Sequence, residues 1–136
     1  MQFDPTYFKL TGMTQPLALI LYEKLLPGSQ LANRLRDVGY RVQVVAEAAS
    51  LVMLAEQEKP LLVLADLASD HGDVCAAITE LKNHPATAHL PVLAFAGQRR
   101  AELQAQAHAA GATLVASDEL ILAQLPQLLE KVLEVE

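Results

Sequence analysis

The side chain in this sequence that most clearly indicates chemistry is the carboxylate of Asp66. It directly follows five apolar residues, 61–65, which come after the helix-ending Pro60. A short, uninterrupted apolar run is typical of a strand buried on both faces of a parallel sheet. Ligands and reacting groups of open parallel sheets gather at the carboxyl ends of the strands. The sequence therefore predicts a functional role for Asp66.

A second carboxylate, Glu23, has a similar position after another apolar run. That run covers residues 17–21, and only Tyr22 separates it from Glu23. Carboxylate oxygens are preferred ligands of Mg²⁺, so Glu23 and Asp66 could form a weak divalent-ion site. The alternative is that both are plain carboxylates at the surface or at strand ends.

Length, composition and charge exclude several classes of protein. The chain has 136 residues, of which 52% are apolar, and its formal net charge is −6. That length suits one domain with a sizeable core, and the absence of a basic stripe argues against direct nucleic-acid binding. The single cysteine fits a reducing compartment, and neither a membrane span nor a signal peptide is evident. We therefore expect a cytoplasmic protein with no nucleic-acid or membrane partner.

Apolar runs alternate with helical patterns along most of the chain. The runs predict strands at 17–21, 41–45, 61–65, 91–96 and 113–116. Helical spacing and capping signals predict helices at 29–39, 47–58, 74–83, 99–110 and 126–135. Such alternation predicts right-handed βαβ units and an α/β fold of three layers, with a doubly wound parallel five-stranded sheet. We assign residues 17–136 to this domain and residues 1–16 to an N-terminal leader.

Local signals place the ends of two helices. Pro27-Gly28 predicts a loop, with Ser29 as the N-cap of the first helix and Val38 on its apolar face. Residues 117–119 predict a turn, and the last helix is expected to begin at Pro126 after a looser turn, because proline suits a first helical turn.

Five stretches, taken in order, resemble the receiver domain of bacterial two-component response regulators. They are Leu19-Ile20-Leu21, 35–42 around Gly39, 59–67 ending in Asp66-Leu67, 89–95 around Pro91, and Ala109-Ala110-Gly111-Ala112. The resemblance covers most of residues 17–135 and implies a CheY-like, flavodoxin-like fold with strand order 2-1-3-4-5. It also implies that Asp66 is the phospho-acceptor.

The resemblance implies further site residues, and this sequence departs from most of them. Family members hold Mg²⁺ with an acidic pair after the first strand, which here is Tyr22-Glu23. They place a Thr or Ser after the fourth strand, which here is Ala96, and a Lys after the fifth, which here is Ser117 or Asp118. The resemblance therefore implies a degenerate receiver, or pseudo-receiver, with a weak or absent Mg²⁺ site and no other cofactor.

These observations lead to a functional expectation with two alternatives. We expect a stand-alone, non-enzymatic signalling domain that binds another signalling protein, such as a histidine kinase or an output protein, without phosphorylation. One alternative is a phospho-accepting regulator that uses Asp66 with Mg²⁺. The other, a nucleotide-binding enzyme, would need a glycine-rich loop where this chain has only Pro27-Gly28-Ser29.

The resemblance also indicates where a partner would bind. In the family, the fourth helix, the fifth strand and the last helix form an output face. The fourth helix carries the small residues Ala101, Ala105 and Ala109, which would suit close packing against a partner or a second copy. A homodimer is therefore a further expectation.

Overall fold

The structure, a computed structural model, describes residues 15–22, 25–68, 73–97 and 100–134. In these ranges, strands and helices alternate around a five-stranded sheet. The strands are β1 (Leu17–Leu21), β2 (Arg41–Val45), β3 (Leu62–Asp66), β4 (Val92–Ala96) and β5 (Leu114–Ser117). The helices are α1 (Leu25–Asp37), α2 (Leu51–Glu58), α3 (Val74–Asn83), α4 (Ala101–Ala110), α5 (Asp118–Ala123) and α6 (Leu125–Glu134).

The sheet is parallel throughout, with strand order 2-1-3-4-5, which confirms the expected fold. The three inner strands, β1, β3 and β4, are buried at every position. This burial explains their unbroken apolar sequence, because helices cover both faces of a parallel sheet. The edge strand β2 contains exposed and partly buried residues and one buried residue, Val45, as its mixed sequence indicates.

Two apolar clusters lie on opposite faces of the sheet. Alternate residues of each strand point to opposite faces, so Leu19 and Val63 join one cluster while Ile20 and Leu64 join the other. Helices α2, α3 and α4 cover the first face, and α1, α5 and α6 cover the second. The result is the three-layer arrangement that the sequence predicts.

The start of α1 corrects one prediction. Pro27 and Gly28 lie in the first turn of the helix, which begins at Leu25, and Ser29 is therefore inside the helix instead of capping it. Proline fits a first helical turn because the amide hydrogen it lacks would have no helical partner there. The loop prediction was wrong because Pro27 and Gly28 are also compatible with the first turn of a helix, where Gly28 packs against Tyr22.

The end of α1 also differs from the prediction. The helix ends at Asp37, and Val38 lies in the following turn with 46% of its surface exposed. Leu31 and Leu35, which the helical spacing also placed on the apolar face, are buried together with Ala32.

The carboxyl-terminal part contains one more helix than predicted. Ser117 caps α5, which occupies the stretch expected to be a turn. Helix α5 ends with Gln124 as its C-cap, and α6 begins at Leu125 with Pro126 as its second residue. A predicted start at Pro126 was therefore one residue late, and the looser turn before it is a short helix whose Ile121 is buried.

The third strand is displaced by one residue from its predicted range. It begins at Leu62 and includes Asp66, whereas Leu61 is 44% exposed.

Residues 1–14 of the predicted leader lie outside the described residues, so the domain boundary stays a prediction. None of the described helices is both long enough and apolar enough to cross a bilayer.

Candidate functional site

The carboxyl edge of the sheet brings together most of the residues that the sequence singled out. Asp66 ends β3, Ala96 ends β4 and Ser117 ends β5, while Tyr22 directly follows β1. The parallel register places Ala96 opposite Ser117, and Asp66 opposite the residue before Ala96. Of the predicted set, Glu23 lies outside the described residues.

Asp66 is a buried carboxylate at the end of the central strand β3. Only 5% of its surface is exposed, and its Oδ1 accepts a hydrogen bond from the backbone N–H of Ala68 at 3.0 Å. A carboxylate that bonds to the backbone two residues later stabilises the turn that leaves the strand. The local chain therefore holds the Asp66 side chain at the sheet edge.

Asp118 places a second carboxylate beside Asp66. Its Oδ1 is buried and has no hydrogen-bond partner among the described residues. Burial raises the pKa of the Asp118 carboxyl above its ordinary value, and the negative charges of Asp66 and Glu119 raise it further. As the first residue of α5, Asp118 would normally be favoured by the helix dipole, but burial and repulsion outweigh that effect.

Ser117 has a separate, structural role at the start of α5. Its Oγ accepts a hydrogen bond from the backbone N–H of Leu120 at 3.0 Å and caps α5. Of the two residues proposed for the lysine position, Ser117 therefore caps the helix, and Asp118 is the one whose pKa the charge of Asp66 raises. Neither side chain is a cation.

The end of β4 offers no hydroxyl. Ala96 is fully buried, and the following Gly97 lies beside Asp118, whose Oδ2 would be 3.8 Å from a Cβ added at Gly97. Gln104 of α4 donates its Nε2 hydrogens towards the carbonyl oxygens of Ala96 and Gly97, at 3.5 and 3.3 Å. The sequence reasoning missed this role of Gln104, because no local signal distinguishes it from other polar residues of the helix.

Tyr22 fills the position where the resemblance implies the first acid of the metal-binding pair. Its backbone N–H donates to the carbonyl of Val45 at 3.0 Å, and its half-buried ring packs against the second apolar cluster. The ring lies so close to Gly28 of α1 that an added Cβ there would overlap it. Gly28 was also missed, because its glycine signal was assigned to a loop.

The described residues do not complete a metal-binding set. Among them, no three His, Cys, Asp or Glu side chains lie close enough to hold an ion. Asp66 and Asp118 supply two oxygen-bearing groups, of which Asp118 is disfavoured in its charged form. A Mg²⁺ site at this edge would need at least one ligand from elsewhere in the chain, such as Glu23.

Comparison with solved structures identifies the fold. The receiver domain of NtrX from Brucella abortus is similar at a TM-score of 0.76 and 24% identity, covering 88% of this chain and 99% of that one. The receiver domain of a sensor histidine kinase from Pseudomonas aeruginosa, with magnesium coordinated in its active-site cleft, has a TM-score of 0.80 and 20% identity, covering 89% and 99%. The chemotaxis response regulator CheY4 of Vibrio cholerae has a TM-score of 0.70 and 17% identity, covering 84% and 98%.

No protein-family model and no curated protein sequence matches the chain. The structural likenesses therefore define the fold, which is the receiver-domain fold of two-component response regulators.

Proposed function

We propose that the chain is a cytoplasmic bacterial signalling module that binds other proteins without depending on phosphorylation of Asp66. The observation that carries this proposal is the Asp118 carboxylate beside Asp66. It stands close to the place where the resemblance implies a lysine. The receiver fold and the named structural neighbours support a role in two-component-type signalling.

The repulsion between these carboxylates opposes phosphotransfer. A phosphoryl group that approaches Asp66 brings negative charge, which a competent site neutralises with metal ions and cations. Asp118 would add negative charge at that point, and removal of a single stabilising donor typically lowers a rate by about 10²–10³. Because the site has neither the cation nor the hydroxyl, we expect phosphotransfer to Asp66 to be too slow to be useful.

Readout of a phosphorylated state would also be weakened. The resemblance implies that a hydroxyl after the fourth strand and a lysine after the fifth report phosphorylation. Ala96 offers only a buried methyl group, and Ser117 is engaged in capping α5. Even a modified Asp66 would lack the groups that could transmit its state to the surface.

The fold offers faces at which such a module could bind a partner. By resemblance, the face formed by α4, β5 and the last helix would contact a histidine kinase or an output protein. Ala101, Ala105 and Ala109 of α4 are exposed, which leaves room for a second copy as an alternative occupant. This role requires no enzymatic activity of the chain itself.

A second candidate is slow phospho-acceptance that uses Asp66 with Mg²⁺. It is favoured by the position of Asp66 at the buried end of β3 and by the magnesium ion in the cleft of the similar Pseudomonas aeruginosa receiver domain. In this alternative, Glu23 would supply the remaining acidic ligand after the first strand.

Intact-mass measurement with acetyl phosphate and Mg²⁺ separates the two candidates. The protein, its Asp66→Ala variant and a phosphorylation-competent receiver domain are incubated in separate, parallel reactions. The competent receiver domain is the positive control. We expect the control to gain one phosphoryl group and this protein to gain none. An adduct on the native protein that Asp66→Ala lacks would overturn the proposal and establish the second candidate.

A double variant tests the reason for inactivity. Ala96→Thr with Asp118→Lys restores the hydroxyl and the cation while leaving Asp66 in place. We expect a phosphoryl adduct to form faster on this variant than on the native protein. If the native protein is labelled as fast as the variant, the Asp118 carboxylate is not the obstacle that we propose.

A further inference from the structure

Two adjoining cavities lie at the amino edge of the sheet, opposite the Asp66 site. The smaller, of about 340 Å³, lies where the chain enters β1 and β3 and is lined by Gln15, Pro16, Leu17, Arg41, Lys59, Pro60 and Leu61. The larger, of about 570 Å³, lies beside β2 and is lined by Gln15, Leu17, Arg36, Tyr40, Arg41, Val42 and Gln43. They share Arg41 as a common wall, so we treat them as one feature, the amino-edge groove.

The charge of the groove is opposite to that of the whole protein. Arg36, Arg41 and Lys59 line it, and none of the described residues that line it is a carboxylate. The formal net charge of the chain is −6, so three cations among the described lining residues differ from its average composition. Asp37 and Glu58, which are next to two of these cations in sequence, do not line the groove.

The cations retain hydrogen-bonding capacity. Arg41 donates through Nε to the carbonyl of Gln15 at 3.2 Å, and Arg36 donates through one terminal nitrogen to Asn33 at 3.0 Å. Within the described ranges, no ion pair engages Arg36, Arg41 or Lys59. Their remaining N–H groups can therefore bind carboxylates of another molecule without first breaking an internal salt bridge.

Lys59 occupies its position at a conformational cost. It caps α2 with φ 52° and ψ 59°, in the left-handed region that glycine adopts more easily. It is the only non-glycine residue with positive φ in the part of the chain that the structure describes. Lys59 therefore lines the groove at a position whose backbone conformation would favour glycine.

The groove also offers apolar contact. Leu61 is 44% exposed beside Lys59, and Tyr40 is half-buried in the wall of the larger cavity. Both cavities are shallow and open to solvent, whereas small-molecule sites usually bury most of their ligand. Cations around an exposed leucine on an open surface are complementary to an extended chain that carries both acidic and apolar residues.

We propose that the amino-edge groove binds an acidic peptide segment of a partner protein. Glutamates or aspartates of that segment pair with Arg36, Arg41 and Lys59, and an apolar side chain packs on Leu61. A third cavity nearby shares Lys59 but also contains Glu56, whose carboxylate already pairs with His84 at 3.2 Å. The acidic segment therefore lies on the side of Lys59 that faces Arg41.

The inference rests on the proposed role as a protein-binding module, to which it adds a surface and a class of partner. The two can fail separately. A phosphoryl adduct on Asp66 would overturn phosphorylation-independent function and leave the groove unchanged. Absence of binding at the groove would overturn only this inference.

The test uses the ¹⁵N-labelled full chain and a synthetic octapeptide, which has a leucine at its fourth position and glutamates at the others. NMR titration should shift the amide signals of Gln15, Arg41, Lys59 and Leu61 and leave those near Asp66 unchanged. Binding should weaken as salt is added, because exposed ion pairs are screened. A peptide with lysines in place of the glutamates should not bind.

Matched variants locate the interaction. Arg36→Gln combined with Lys59→Gly should weaken octapeptide binding about three- to tenfold, as expected for two exposed ion pairs. Arg100→Gln combined with Lys131→Gln, which removes two exposed positive charges away from the groove, should leave binding nearly unchanged. Lys59→Gly is expected to relieve backbone strain, and urea denaturation of the double variant checks that weaker binding does not result from unfolding.

Three outcomes would overturn the proposal. One is the absence of shifts at the groove at millimolar peptide, and another is equal loss of binding in the control variant that carries Arg100→Gln and Lys131→Gln. The third is tighter binding of pyrophosphate or of an oligothymidylate at the same residues, which would assign the groove to a phosphate anion or to nucleic acid.

Discussion

The two edges of the sheet differ in charge, burial and packing. At the carboxyl edge, Asp66 and Asp118 place two carboxylates close together, and the ring of Tyr22 packs tightly against α1. At the amino edge, Arg36, Arg41 and Lys59 surround an open groove. Within one parallel sheet, the described residues thus place carboxylates side by side at the carboxyl edge and three cations around a groove at the amino edge.

The closed packing of the carboxyl edge gives the largest expected effect on stability. Gly28→Ala places a Cβ in the ring of Tyr22, and such overpacking typically destabilises a protein by about 1–3 kcal/mol. We expect a loss of this size in the free energy of unfolding, measured by urea denaturation.

The Tyr22→Ala background provides the control for this prediction. Without the ring, alanine should be neutral or stabilising at position 28, because it favours a helix over glycine by about 0.5–1 kcal/mol. Equal destabilisation in both backgrounds would show that the Tyr22 ring does not set the requirement for glycine.

The next effect lies at the amino edge and has the opposite sign. Lys59→Gly should stabilise the protein by about 1 kcal/mol, because the left-handed conformation is costly for residues with a Cβ. The same urea denaturation measures it, and a decrease in stability would show that the lysine side chain makes compensating contacts in the fold.

Gly111→Ala is the matched reverse change. Gly111 has φ 111°, and a Cβ added there would lie 3.0 Å from Cγ of Lys82. Alanine at this position should destabilise the protein, which calibrates the effect of positive φ in the same fold.

The smallest effect concerns the charge of the carboxyl edge. Asp118→Asn should stabilise the protein by about 0.5–1 kcal/mol at pH 7, because it removes a charge that burial and Asp66 disfavour. The gain is small because the side chain as a whole is only partly buried.

The pH dependence of this gain follows from the raised pKa of Asp118. Between the ordinary pKa and the raised one, the folded protein binds more protons than the unfolded chain, so the free energy of unfolding falls as pH rises. The advantage of Asp118→Asn should therefore shrink as pH falls through the raised pKa. Glu130→Gln, an exposed change on α6, is the control, and an advantage that grows in acid would contradict the assignment.

The sequence was most informative where local pattern and tertiary environment agree. Unbroken apolar runs predicted the buried strands, because helices cover both faces of the sheet. The resemblance added the strand order, and the structure confirms it. The start of the first helix was mispredicted because Gly28 was read as a loop signal. In the structure Gly28 packs against the ring of Tyr22, a contact that the local sequence does not reveal.

The candidate site was predictable only in part for a similar reason. Asp66 could be identified from the strand it ends, but the roles of Ser117 and Asp118 could not be separated. Their difference depends on which side chain caps α5, and both residue types are good caps. The amino-edge groove was not predicted, because Lys59 is distant in sequence from Arg36 and Arg41 and comes near them only in the folded sheet.

The edge strand β2 has a consequence for handling the protein at high concentration. It has only five residues, begins with the exposed Arg41, and leaves Val44 43% exposed. An open strand edge can pair with another sheet, and short length and charge are common protections against such aggregation. The positive charge of Arg41 is therefore expected to oppose edge-to-edge association of two copies through β2.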